Sequence, residues 1–193
     1  YVKRGPIGLL GNKGATAVRL DFAGTSLCFV SAHFQAGDKK LQSRIKDYDV
    51  INGKLYFNNP KSKRISNHDL IFWFGDLNFR LDDLSAQDIV EILAKPPLQQ
   101  SIDELLTKDQ LRRSMKAGDV FSDYNDLRPT FKPTYKYTVG TNDYNLKRKP
   151  AFTDRVLYRK RKENLTVNQI TYASNDDIKI SDHKPITALF NIL

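Results

Sequence analysis

The sequence predicts a mixed α+β sandwich, and three features of its layout predict it. Its β-like runs are arranged as hairpins and long crossings. Helical patterns are inserted between them, and no βαβ rhythm of the kind that builds a doubly wound sheet repeats along the chain. At 193 residues the chain suits one sizeable domain, and length alone does not demand two.

The elements follow in order. Residues 15–20 alternate small or apolar side chains with polar ones, and 27–32 are denser and β-rich. Residues 21–25, with Gly24, supply turn chemistry between them, so a hairpin is predicted. Leu41, Ile45, Tyr48 and Ile51 fall near helical spacing within 40–55. A polar, basic loop over 58–67 precedes a continuous apolar run, 70–74, of buried-strand character. Ser85, with Asp88 three residues on, caps a helix whose inner face is Ile89, Ile92 and Leu93, and Pro96-Pro97 ends it. Thr107 with Gln110 resembles a capping box for a helix carrying Leu111 and Met115, stopped by Gly118. Residues 124–150 read as loop, followed by β-like runs at 156–158, 167–172 and 186–190. There is no internal repeat and no low-complexity segment.

Apolar residues make up 40% and charged residues 27%, which suits a packed core rather than disorder. Lys and Arg number 31 against 22 Asp and Glu, a formal charge of +9 that favours an anionic partner: nucleic acid, phosphorylated metabolite or anionic membrane. The single cysteine, Cys28, excludes an internal disulfide, fits a reducing compartment and sits in a run that reads as a buried strand. No apolar run has the length of a membrane span and no secretory segment opens the chain. The opening at Tyr1, close to a Gly-rich turn, reads as a fragment.

Four polar constellations stand at strand ends. In Phe72-Trp73-Phe74-Gly75-Asp76-Leu77-Asn78-Phe79-Arg80, an apolar strand ends at glycine, and Asp76 and Asn78 then point to one side. The carboxylate can take a proton from water, and the amide can orient that water or a phosphate oxygen. In Ser181-Asp182-His183-Lys184-Pro185, the adjacent Asp182 and His183 face opposite ways, one toward a metal or water and one toward a phosphate. His33 ends the 27–32 strand, and Asp154-Arg155 enters the strand that begins at 156. Read singly, each has a plain structural explanation in turns or surface ion pairs. Together they supply water activation, phosphate contact and an acid that can orient a histidine.

These motifs resemble a known family. Residues 73–80 and Pro150-Ala151-Phe152-Thr153-Asp154-Arg155-Val156-Leu157 are similar to the two signature motifs of the inositol polyphosphate 5-phosphatases. Gly8-Leu9-Leu10-Gly11-Asn12-Lys13-Gly14, Pro133-Thr134-Tyr135-Lys136-Tyr137 and residues 181–185 match in order and spacing, from about Gly8 to the C-terminus. The resemblance implies a DNase I-like four-layer αββα sandwich with its first part missing, residues 1–193 being the C-terminal two-thirds of a catalytic domain. It implies Mg²⁺-dependent hydrolysis of a 5-phosphate from phosphoinositides or soluble inositol phosphates. Asp76 would activate the water and Asn78 hold it or the phosphate. His183 would contact the phosphate, Asp154 would orient its ring, Asp182 would lie beside the metal, and His33 would be a second phosphate ligand. Tyr135 and Lys136 resemble the contacts to the 4-phosphate, and Asn12 and Lys13 those on the 1-phosphate side. Arg155 is grouped with the substrate-binding residues.

The sequence departs from the family in three places. Leu146 stands where a lysine is usual, leaving Lys147, Arg148 or Lys149 to substitute, and Phe152 replaces a tryptophan. The family's upstream Asn motif and metal-binding Glu are absent from the chain, so the fragment alone is expected to lack its main metal ligand. A cytoplasmic protein is expected, with peripheral contact to an anionic plasma membrane or endomembrane and no nucleic-acid partner. Spacing hints at the skeletal-muscle-and-kidney-enriched subgroup. Two other readings stay open: a phosphoinositide-binding module without turnover, and a nuclease of the same fold.

Overall fold

The computed structural model describes residues 1–4, 12–61 and 63–193. The Gly8 to Gly11 part of the turn motif lies outside the described residues. A six-stranded sheet in the order β1-β2-β3-β4-β6-β5 forms the frame, and β7 and β8 form a separate two-stranded sheet. Its strands are β1 (Val2–Arg4), β2 (Lys13–Phe22), β3 (Thr25–His33), β4 (Leu70–Asp76), β5 (Asn125–Asp126) and β6 (Asp154–Lys160). The small sheet pairs β7 (Val167–Ser174) with β8 (Ile186–Ile192).

The β2–β3 hairpin turns at Ala23-Gly24, both with positive φ. The chain then crosses over through α1 (Leu41–Lys54) so that β4 runs parallel to β3. Side-chain alternation divides the sheet's two faces. Cys28, Val30, Ile71, Trp73 and Leu157 turn to one face and form the main core, with Ile51 of α1 and Leu111 of α4 (Gln110–Ala117). Leu27, Phe29, Leu70, Phe72 and Phe74 turn to the other, where Val167 of β7 and Phe190 of β8 cover part of it. The described layers are therefore helix, six-stranded sheet and two-stranded sheet.

On the same covered side, β2 turns Val18 toward Phe29 and Leu20 toward Leu27. Yet Val18 is 62% and Phe22 69% exposed, because β7 and β8 lie over β4 and β6 instead. The β2 part of that sheet face is thus apolar and bare among the described residues.

The predicted helix after Ser85 is α2 (Ala86–Leu93), with a capping box in which the Ser85 hydroxyl accepts from Asp88 N–H and Asp88 from Ser85 N–H. The reading missed α3 (Leu98–Leu106), which starts straight after Pro97 and packs Ile102, Leu105 and Leu106 against Ile89, Ile92 and Phe152. The cap of α4 needs correction. Thr107 ends α3, and Asp109 caps α4 by accepting from Arg112 N–H at 3.1 Å, while Gly118 closes it in the left-handed conformation.

Cys28 is fully buried and its thiol is pushed up to about 12, burial being the main cause. Folded protein at pH 8 is therefore expected to resist iodoacetamide, and to react only after denaturation. The protonated thiol favours the folded state below its unfolded pKa, and this contribution is lost as pH rises toward 12. Rapid alkylation of native protein, followed by mass spectrometry, would contradict the burial.

Candidate active site

The site lies at the C-terminal ends of β3 and β4, where register brings three functional side chains into one row. His33 pairs with Asp76 across β3 and β4, and Asp76 with Asp154 across β4 and β6. Paired residues share a face, so all three project on the side of the small sheet. Gly75 makes this closeness possible. Its φ is +123°, and a Cβ there would lie 2.2 Å from the Ala32 carbonyl oxygen, so a side chain would force β3 and β4 apart just below His33 and Asp76.

Asp76 and Asn78 meet as expected, although Asn78 adopts a left-handed φ of 56° to do so. Asn78 donates from its backbone to Asp76 Oδ1 at 3.0 Å and from Nδ2 to Asp76 Oδ2 at 2.9 Å. Its second Nδ2–H goes to the Phe34 carbonyl at 3.1 Å. Both amide donors are thereby spent inside the protein, and what Asn78 holds in this structure is the Asp76 carboxylate. His33 Nε2 lies 3.1 Å from Asp76 Oδ2 and 2.5 Å from Lys13 Nζ, with the imidazole exposed. Burial lowers the pKa of Lys13 despite the opposing charges of Asp76 and Asp47.

On the facing loops, Asp182 and His183 diverge as the alternation requires. His183 Nδ1 meets Asp154 Oδ2 at 2.9 Å, and the same oxygen accepts from Thr134 at 2.6 Å and Thr153 at 3.0 Å. Three hydrogen-bond partners fix that carboxylate, and it in turn fixes the ring. Burial works against the imidazolium, but the Asp154 bond and the charges of Asp154, Asp76 and Asp182 outweigh it, so the His183 pKa is raised. Asp182 takes the other direction, accepting from Lys136 Nζ at 2.6 Å, which holds its carboxyl below the usual range.

The loop carrying Tyr135 and Lys136 is knitted into this end of the molecule. Lys184 N–H donates to the Thr134 carbonyl at 2.9 Å, Tyr137 N–H to the Asp182 carbonyl at 2.9 Å, and Ala151 N–H to the Tyr135 carbonyl at 2.8 Å. The Tyr135 ring lies 4.7 Å from the His183 ring. Lys184 itself is buried under Tyr137 and spends its ammonium on Asn142 and nearby carbonyls. Beside His183 a cleft of about 380 Å³ opens, lined by Phe74, Asp154, Val156, Ile178, Ile180 and Ile186.

Arg155 does not belong with these residues. Alternation along β6 sends it to the opposite face from Asp154, where it is wholly buried and donates to Asp109 at 2.9 Å and to Asp126. Burial opposes its charge, but the two carboxylates more than restore it. Its expected contact with substrate is therefore corrected to a structural anchor. Asn12, Lys147 and Arg148 lie exposed, and Lys149 donates to the Leu81 carbonyl at 3.0 Å. Leu146, in the place of the usual lysine, is also exposed.

Two groups escaped the sequence reading. Thr134 lies inside a quoted motif but had no role, and it supports Asp154. Arg44, fully buried, donates to the Gln35 and Gly37 carbonyls and to Gln110 Oε1, which also accepts from Arg80 N–H. This hub fixes the loop after β3 against the loop after β4. Only the buried position of Arg44 in α1 could have signalled it.

Oxygen donors on the site suit a hard divalent cation such as Mg²⁺, which takes one or two carboxylates and fills its shell with water and phosphate oxygens. Asp182, the carboxylate expected there, is ion-paired with Lys136 in this structure. Among the described residues no group of three or more His, Cys, Asp or Glu is assembled to hold a metal.

Residues 1–189 match endonuclease/exonuclease/phosphatase family 2. The chain belongs to that family. Synaptojanin-1 of Homo sapiens is 38% identical over 218 residues, covering 99% of this chain and 13% of that protein. Phosphatidylinositol 4,5-bisphosphate 5-phosphatase A of Homo sapiens is 35% identical over 198 residues, covering 95% of this chain and 19% of that protein. Among solved structures, the inositol polyphosphate 5-phosphatase domain of SpSynaptojanin, in complex with inositol (1,4)-bisphosphate and calcium ion, matches with a TM-score of 0.82 and 38% identity. That match covers 94% of this chain and 51% of the other. The expected likeness to inositol polyphosphate 5-phosphatases and the DNase I-like fold are both borne out. The chain thus spans under a fifth of these curated relatives and about half of the solved domain.

Proposed function

We propose that this chain is the C-terminal part of a catalytic domain that hydrolyses the 5-phosphate of phosphoinositides or soluble inositol polyphosphates with Mg²⁺. One observation carries the reading: Asp76, held by Asn78, stands in register with Asp154, whose carboxylate holds His183. A water-activating carboxylate and an oriented imidazole thus flank one space at the mouth of a cleft.

The geometry supports the following roles. Asp76 accepts the proton of the attacking water, whose oxygen forms the new bond to phosphorus as the bond to the inositol oxygen breaks. Asn78 fixes the direction of the accepting carboxylate. His183, turned by Asp154, and His33 on the other flank donate to the phosphate oxygens. Asp182, once released from Lys136, would help hold Mg²⁺, which would supply neutralising charge to the phosphoryl group. Tyr135 and Lys136 receive the 4-phosphate, with exposed Arg148, whose charge is felt at Lys136, able to add to it. Lys13, beside His33, faces the same space.

The bare apolar strip of Val18, Leu20 and Phe22 supports the view that further strands complete the sandwich. In this reading the segment that carries them also brings the remaining metal ligand. No helix among the described residues is long and apolar enough to cross a membrane, and the +9 charge favours peripheral contact with an anionic cytoplasmic surface.

The test is phosphate release with Mg²⁺ from short-chain phosphatidylinositol 4,5-bisphosphate, by this chain and by an N-terminally extended form. Release by the extended form, with little or none by this chain, is expected. Tight head-group binding without release by either form would instead establish a binding module.

A further inference from the structure

Arg80 follows Asn78 by two residues and is buried, with 3% of its surface exposed. Its nearest carboxylate, Asp38, stands 3.5 Å away, too far to hold it tightly. Its strong contacts go elsewhere. Nε donates to the Asn78 carbonyl at 3.1 Å and Nη2 to Asn78 Oδ1 at 2.6 Å. The guanidinium carbon of the same group lies 4.7 Å from the centre of the Tyr135 ring. One rigid, permanently charged fork therefore touches the water-activating pair on one side and the recognition loop on the other.

We infer that Arg80 is a positioning residue that relays occupancy of the Tyr135–Lys136 loop to Asn78, and through Asn78 to Asp76. This rests on reading that loop as a phosphate-binding site. Lys136 is tied at rest to Asp182 at 2.6 Å, and an arriving phosphate competes for its ammonium. The Tyr135 backbone is pinned to Ala151, so the response falls on the ring, which packs against the His183 ring and the Arg80 guanidinium. Any shift of the ring shifts its stacked guanidinium, and the fork carries Asn78 Oδ1 with it. Both Asn78 amide protons are already committed, one of them to Asp76 Oδ2, so turning the carboxamide turns the carboxylate's partner. Substrates that fill the loop thereby gain in turnover as well as in binding.

The experiment is NMR on this chain, following the Asn78 side-chain amide while inositol 1,4-bisphosphate is added. That probe carries a phosphate for the loop and none at the 5-position. In the wild type, Tyr135, Lys136 and the Asn78 amide are expected to shift together with one half-saturation. In Arg80→Lys, which keeps the charge but loses the fork, the loop still shifts and the Asn78 shift is lost. Tyr135→Leu removes the aromatic face over Arg80 while keeping an apolar side chain there, and also abolishes the Asn78 shift while Lys136 still responds. An Asn78 amide that stays silent in the wild type while the loop shifts, or that shifts equally in both variants, overturns the relay alone. Silence at Tyr135 and Lys136 overturns the phosphate reading of the loop, and the relay with it.

Discussion

Asp76→Asn leaves the fold intact and lowers turnover by roughly 10²–10⁴-fold, the range that removal of a positioned general base produces. The change is nearly isosteric; the single side-chain oxygen can still accept from the Asn78 backbone, now at 3.0 Å from Oδ1, while the new NH2 group gives up the bond from Asn78 Nδ2. A carboxamide, however, cannot take the water's proton. In the proposed function recognition rests on the Tyr135–Lys136 loop, for which no contact with Asp76 is seen, so KM is expected to stay within a few-fold. Phosphate release in the extended form, with head-group affinity measured by calorimetry, separates the two quantities. A variant that loses affinity and keeps kcat would make Asp76 a binding group and remove it from the chemistry.

Arg155→Met is expected to be the most damaging single change to stability. Arg155 sits against Asp109 and Asp126, with its own side chain wholly buried and theirs 0% and 7% exposed. Removing it leaves buried Asp109 without a cationic partner and Asp126 with Arg112 alone, a loss of about 3–5 kcal/mol for breaking a buried pair. That is a large part of a typical folding stability of about 5–15 kcal/mol. Asp109 also caps α4, and Asp126 also accepts from Arg112 Nε at 2.9 Å, so the damage extends from β6 to that helix and to β5. Urea unfolding should show the midpoint falling with little change in slope. Under stabilising conditions the folded fraction should keep its substrate KM. A raised KM without loss of stability would return Arg155 to the substrate site.

The contrast between Asp154 and Arg155 shows where sequence reading reaches its limit. Both belong to one recognisable motif, and only strand alternation separates their fates. Applying a two-residue period from Asp154 would have put Arg155 on the helical face, but the motif drew attention to chemistry instead. The hairpin, α1, α2 and β4 were legible because apolar periodicity and turn residues agreed. α3 was lost because Pro96-Pro97 reads as a stop, although Leu98, Ile102, Leu105 and Leu106 repeat at helical spacing just beyond it. Thr107 then drew a cap that belongs to Asp109, since either side chain can cap and only the end of α3 decides between them.

Individual polar groups at strand ends were legible in the sequence, and their assembly was not. His33, Asp76 and Asp154 each end or begin a strand in the sequence. Their side-by-side placement depends on a parallel β3–β4 pairing and an antiparallel β4–β6 pairing that no local pattern specifies. Contacts such as Arg80 on Tyr135 and Thr134 on Asp154 link loops far apart in sequence, and packing alone creates them.

The most direct measurement is the identity of the phosphate that leaves. Inositol 1,4,5-trisphosphate is incubated with Mg²⁺ and the extended form, and the product is assigned by ³¹P NMR. The account predicts inositol 1,4-bisphosphate and inorganic phosphate, with product formation lost in Asp76→Asn. Release of the 1- or 4-phosphate, or an unchanged trisphosphate alongside cleavage of abasic or duplex DNA, would contradict it.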